Sequence, residues 1–84
     1  MVDKILVEVY VPVIGESFDV YIPVTSKLHE VETLLTAALS ELTEGRFHPA
    51  PDTVLCDKLS GQPLDINSSA MELGLLNGAR LMLI

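Results

Sequence analysis

The chain has 84 residues, and nearly half of them are apolar, which is enough for one core and predicts a single domain, residues 1–84. Twelve acidic residues against five basic ones leave a net charge of -7, which repels phosphate backbones and anionic lipid headgroups and so excludes nucleic acid and direct membrane binding. One cysteine excludes an internal disulfide and an iron–sulfur site, so we expect no cofactor or metal and a reducing, cytoplasmic location.

Two strands are predicted at the start of the chain. In residues 5–11 every odd position holds a β-branched side chain, and in residues 17–24 apolar residues again alternate with other types. Residues 12–16 contain a proline and a glycine, which interrupt regular structure. The first strand therefore spans residues 4–11, and the two strands form a hairpin.

A long helix is predicted over residues 27–43, where apolar residues recur at helical spacing. The hydroxyl group of Thr25 or Ser26 is expected to cap its first turn, and Gly45 is expected to be left-handed at its end. The apolar stripe contains Leu28, Val31, Leu35, Ala38, Leu39 and Leu42.

Shorter elements follow a loop at residues 45–52, where two prolines prevent regular structure. Residues 53–57 predict a short strand. Residues 62–65 predict a brief edge strand, because an edge position tolerates Pro63.

The last part of the chain predicts a helical turn and a final strand. Residues 66–75 include an Asn-Ser-Ser sequence at 67–69 that can cap a short helical turn. Asn77 and Gly78 then predict a turn into a strand at residues 79–84.

This order of elements predicts an α+β fold, in which the long helix packs across one face of a mixed, four- to five-stranded sheet. The stretch FDVYIP at residues 18–23 and the ending ELGLLNGARLMLI at residues 72–84 resemble the YukD/EsaB-type family of ubiquitin-like β-grasp proteins. That resemblance implies a cytoplasmic ubiquitin-like component encoded with a bacterial type VII secretion system.

Conjugation is not expected of this chain. Ubiquitin and the sulfur carriers of its fold act through a flexible Gly-Gly tail, whose glycines pass through a narrow channel of the activating enzyme. Here the sequence ends at Ile84, inside a predicted strand. We therefore expect neither conjugation nor sulfur transfer.

Enzymatic activity is not expected either. His48, Asp52 and Cys56 are close in sequence and offer a thiol, a base and an orienting group, but nothing in the pattern predicts that they converge. A strand cysteine beside a loop histidine is the simpler interpretation. An enzyme or carrier domain is the weakest of the alternatives.

The expected binding site lies on the face of the sheet that the helix leaves uncovered. Strand side chains alternate, so if the odd residues of the first and last strands face the helix, their even residues form an apolar strip on the other side. We expect Tyr10 and Met82 to be its anchors, with Glu8, Asp19 and Asp57 at its rim. The strip consists of Leu6, Tyr10, Val54, Cys56, Met82 and Ile84.

Several partners remain open. The resemblance implies a protein partner in the cytoplasmic part of a membrane-bound secretion complex, whereas a homodimer would bury the same strip with two-fold symmetry. The acid excess serves solubility or selects a basic partner. A generic β-grasp adaptor in another bacterial pathway is the main alternative function.

Overall fold

The computed structural model describes residues 3–84, which form four strands and two helices. In chain order these are β1 (Lys4–Val11), β2 (Glu16–Pro23), α1 (Leu28–Leu42), β3 (Leu55–Asp57), α2 (Ala70–Leu73) and β4 (Ala79–Leu83). The predicted order of the main elements is confirmed, and most bounds differ from the prediction by one or two residues.

The four strands form one mixed sheet in the order β2-β1-β4-β3. The central pair, β1 and β4, is parallel, and both edge pairs are antiparallel. The predicted edge strand at residues 62–65 is reduced to one bridge between Pro63 and Cys56. The Asp57 N–H donates to the Gln62 carbonyl oxygen and the Leu64 N–H to the Leu55 carbonyl oxygen, both at 2.9 Å, so Pro63, which has no N–H, is tolerated between them.

The core lies between α1 and the sheet. Odd residues of β1 are buried beneath the helix, as the alternation predicts. The main buried side chains are Ile5, Val7, Val9 and Val11 of β1, Leu28, Val31, Leu35 and Leu39 of α1, Leu55 of β3, and Leu81 and Leu83 of β4.

Two residues of the predicted helical stripe lie outside the core. Ala38 is exposed, and Leu42 is 62% exposed, so their assignment to the buried face is wrong. Thr43 takes the interior position at the helix end instead. Its hydroxyl donates to the Leu39 carbonyl oxygen at 2.6 Å and accepts from the Phe47 N–H at 3.0 Å, so both of its polar functions are satisfied away from water.

The start of α1 is capped by distant backbone rather than by Thr25 or Ser26. Lys27 is the N-cap residue, and no side chain caps the first turn. The Leu28 N–H donates to the Ser68 carbonyl oxygen at 2.9 Å, and the His29 N–H donates to the Ile66 carbonyl oxygen at 3.0 Å. A hydroxyl cap is unnecessary because the chain before α2 supplies these acceptors.

The other predicted helix boundaries agree with the structure. Gly45 is left-handed, with φ of 83°, and its N–H donates to the Ser40 carbonyl oxygen at 2.9 Å. At α2, Ser69 is the N-cap and forms a reciprocal capping box with Glu72. This short helix leads through the turn at Asn77 and Gly78 into β4, which brings the last strand to the centre of the sheet.

Candidate functional site

The face of the sheet opposite α1, called here the open face, carries the even-numbered side chains of β1 and β4. The parallel register pairs Tyr10 with Met82, and the antiparallel register pairs Met82 with Cys56. Register partners point to the same side of a sheet, so these three side chains form one row across β1, β4 and β3. Tyr10 and Met82, the expected anchors, are therefore neighbours.

Five of the six predicted binding residues reach the surface of this face. Leu6, Tyr10, Val54 and Met82 are half-buried, and Ile84 is 54% exposed. Val54 and Ile84 exchange two backbone hydrogen bonds, which aligns their side chains immediately before the start of β3. The role of these five residues in binding stays a prediction.

Cys56 points to the open face but does not contribute surface to it. It is 1% exposed, since Met82 pairs with it on one side and Pro63 on the other. Its inclusion in an accessible strip is therefore wrong. The sequence places a strand residue on a face, but it does not show that neighbouring segments will close over it.

The thiol of Cys56 is also poorly suited to nucleophilic chemistry. Burial raises its pKa, which favours the neutral thiol over the reactive thiolate. His48 and Asp52 are exposed in the loop before β3. Among residues 3–84, no group of three or more His, Cys, Asp or Glu side chains lies together to hold a metal ion.

A charged contact divides the predicted apolar strip. The Lys58 ammonium group lies 3.1 Å from a Glu8 carboxylate oxygen and 5.0 Å from the centroid of the Tyr10 ring. Glu8 stands between Leu6 and Tyr10 on the same side of β1, so Leu6 is separated from the Tyr10–Met82 row. The strip is not continuous, because one even position of β1 holds a charge.

Of the three acids predicted at the rim, Asp19 lies on the open face, Glu8 lies within the strip rather than at its edge, and the assignment of Asp57 is wrong. Asp19 pairs with Glu8, so it shares the open face, whereas Asp57 pairs with the buried Leu81 and points to the helix side. There its carboxylate accepts a hydrogen bond from the Ser60 N–H at 3.2 Å. The sequence already implied this, because Asp57 directly follows Cys56 in a strand and successive strand side chains point to opposite faces.

A second apolar surface lies beside α2, and the sequence patterns did not predict it. It is a groove of about 310 Å³ that exposes Met71 and Leu76. The sequence feature that could have indicated this groove is the pair of adjacent leucines after Gly74. Leu75 is partly buried, whereas Leu76 is exposed. The groove is lined by Ile5, Val24, Met71, Gly74, Leu75, Leu76 and Asn77.

In the part of the chain that the structure describes, no helix has the length and apolar character needed to span a bilayer. The longest helix, α1, has 15 residues and carries acidic side chains.

Solved structures with the same fold include domains of type VII secretion proteins. The ubiquitin-like domain of EccD1 from Mycobacterium tuberculosis is 18% identical, with 100% of this chain and 99% of that chain covered and a TM-score of 0.78. The EccD5 ubiquitin-like domain from Mycobacterium xenopi is 20% identical, with 96% and 92% covered and a TM-score of 0.69.

A third similar structure is a chain of the MycP5-free ESX-5 inner membrane complex, which is 20% identical with a TM-score of 0.71. The match covers 99% of this chain and 21% of that one. No protein-family model and no curated protein sequence matches the chain. The structural likeness confirms the predicted ubiquitin-like β-grasp fold, and at these identities it carries the fold alone.

Proposed function

We propose that this ubiquitin-like β-grasp chain is a non-enzymatic protein-binding module that serves as an accessory or regulatory component of a bacterial type VII secretion system. The observation that carries the proposal is the structural likeness to the EccD1 ubiquitin-like domain, which covers 100% of this chain and 99% of that domain. Two further type VII secretion structures share the fold, which supports the same context.

Binding takes place, in this proposal, through the accessible residues of the open face. Half-buried aromatic and methionine side chains such as Tyr10 and Met82 are common anchors of protein interfaces, because the aromatic ring buries a large area and the methionine side chain adapts its shape to a partner. Ile84 and Val54 extend the apolar surface beside them. The buried thiol of Cys56 supports a binding role over a catalytic one.

The proposed partner is the cytoplasmic part of a membrane-bound secretion complex, which also implies a cytoplasmic location for this chain. Support comes from the ESX-5 inner membrane complex, in which a chain about five times as long contains a region of the same fold. The contact is noncovalent in this proposal, because the open face offers anchors for docking and its one thiol is buried.

The test is photo-crosslinking from the open face in native membranes, followed by mass spectrometry. A photoreactive amino acid replaces Leu6, and each crosslinked product is identified. The disrupting variant is Tyr10→Asp with Met82→Asp. Its matched control is Leu34→Asp with Leu42→Asp, which adds the same charge at two helix positions that are each 62% exposed.

Crosslinks to a secretion ATPase or membrane component, lost in the Tyr10 and Met82 variant and retained in the control, would support the proposal. Crosslinks only to a second copy of this chain would indicate a homodimer instead. Consistent absence of secretion components would leave the generic adaptor as the better interpretation. Circular dichroism and the melting temperature must show that both variants fold.

A further inference from the structure

The open face differs in charge from the rest of the protein. Register and alternation bring Lys4, Lys58 and Arg80 to this face, which are three of the five basic residues in the chain. Only two of the twelve acidic residues, Glu8 and Asp19, belong to the strand positions of the same face. The strand positions of the open face therefore carry no acid excess, in contrast with the chain as a whole.

The charges on the open face are ordered across the sheet. In the strand register, Glu8 is opposite Asp19 of β2 on one side and Arg80 of β4 on the other. The backbone N–H of Lys58 donates to the Arg80 carbonyl oxygen at 3.0 Å. One row of side chains thus runs from Asp19 on β2 and Glu8 on β1 to Arg80 on β4, and Lys58, just after β3, reaches across the sheet to Glu8. Arg80 lies on the same strand and the same face as Met82.

Arg80 is the cation that remains available to a partner. The Lys58 ammonium group is neutralised by Glu8, whereas Arg80 is exposed and forms no ion pair within residues 3–84. Arg80 and Met82 are two residues apart on one strand, so their side chains emerge on the same face about 7 Å from each other. A planar guanidinium group at this position can bind a carboxylate through two parallel hydrogen bonds.

We infer that the open face selects a protein segment that presents carboxylates next to apolar side chains, with a carboxylate on Arg80 and an apolar side chain on Tyr10 and Met82. This inference rests on the proposed function, because it names the chemistry of the partner for the same face. It favours solubility over a basic partner as the interpretation of the overall acid excess.

Local charge outweighs total charge at this face for a physical reason. The Debye length is about 8 Å at physiological ionic strength, so acidic groups on the helix side of the protein are largely screened from a ligand on the open face. A direct contact with Arg80 is screened far less, because the partner displaces water there. Asp19 disfavours a carboxylate over β2, whereas Glu8 is paired with Lys58, so the segment is oriented with its carboxylate toward β4.

The probes are three twelve-residue peptides that alternate leucine with glutamate, glutamine or lysine. Each is titrated into the ¹⁵N-labelled full chain, and amide shifts report the site and the affinity. We expect the glutamate peptide to bind about tenfold more tightly than the glutamine peptide and to shift the amides of Tyr10, Arg80 and Met82. The lysine peptide should bind most weakly.

Variants assign this preference to Arg80. Arg80→Gln should abolish the preference for glutamate over glutamine, and Arg80→Lys should reduce it because the ammonium group lacks the bidentate geometry. Lys27→Gln is the matched control, since it removes the same charge beside α2, where Lys27 pairs with Glu72. The control should keep the full preference.

Several results would overturn the inference: equal or tighter binding of the lysine peptide, shifts confined to the helix side, or no binding of any peptide. Equal binding of all three peptides at the open face would refute the acidic preference while leaving this face as a binding surface. The proposed function fails separately, if the Tyr10 and Met82 variant keeps its crosslinked membrane partners.

Discussion

Lys58 lies over the aromatic ring of Tyr10, with its ammonium nitrogen 5.0 Å from the ring centroid. The same nitrogen is 3.1 Å from a Glu8 carboxylate oxygen, and both charged side chains are one-third exposed. Lys58 therefore contacts both an acidic side chain and an aromatic ring in the middle of the open face. It is 50 residues from Glu8 in sequence. Any partner that docks on Tyr10 also meets Lys58.

The first prediction concerns the stability of this contact. Lys58→Met keeps the aliphatic chain and removes the charge, and it should lower the free energy of unfolding by less than about 1 kcal/mol, because partly exposed ion pairs and cation–π contacts are weak. Urea unfolding at low and high salt measures the effect, which should shrink as salt screens the pair with Glu8. A loss above about 3 kcal/mol would show that Lys58 is a structural element of the sheet.

The second prediction compares adjacent leucines on α1. Leu35→Ala should cost about 2–4 kcal/mol because Leu35 is buried against the sheet and its truncation leaves a cavity, and Val7→Ala should cost about 1–3 kcal/mol on the facing strand. Leu34→Ala is the control and should change stability by less than about 0.5 kcal/mol. Denaturant unfolding gives all three values, and similar losses at Leu34 and Leu35 would contradict the helix orientation.

The third prediction concerns Cys56. Its thiol is buried and its pKa is raised, so a thiol reagent such as Ellman's reagent should modify the native protein at least about a hundredfold more slowly than the unfolded chain at pH 8. Absorbance at the reagent's product band gives both rates. Rapid modification of the native protein would mean that Cys56 is accessible and belongs to the binding surface after all.

The fourth prediction concerns pH. The Ser69 backbone N–H, followed by Lys27, stabilises the charged carboxylate of Glu72 and holds its pKa below the ordinary value. The stabilisation is complete above the pKa of glutamate in the unfolded chain and is lost as the pH falls through the lower pKa of the folded state.

NMR titration of the Glu72 side chain in the native protein should give a midpoint below that of glutamate in a short peptide. Ser69→Ala removes the hydroxyl cap but keeps the backbone donor, so the pKa of Glu72 should stay lowered in that variant. A midpoint at or above the peptide value would contradict the capping box at α2.

The sequence alone determined the elements that depend on local periodicity. Alternating β-branched residues specify β1 and its buried face, and apolar residues at helical spacing specify α1. Both signals are local, because a strand buries every second residue and a helix buries every third or fourth. The same alternation correctly assigned Tyr10 and Met82 to one face of the sheet. The left-handed helix end at Gly45 was equally local, since its N–H bonds to the Ser40 carbonyl oxygen.

Only the tertiary structure decided what lies beside each of these residues. Cys56 is buried because Pro63 and Met82 pair with it on both sides, and the first turn of α1 is capped by carbonyl groups that precede α2. Lys58 reaches Glu8 and Tyr10 only after β3 joins the far side of β4. Periodicity assigns a side chain to a face, but pairing between distant segments determines what covers that face and which charges it carries.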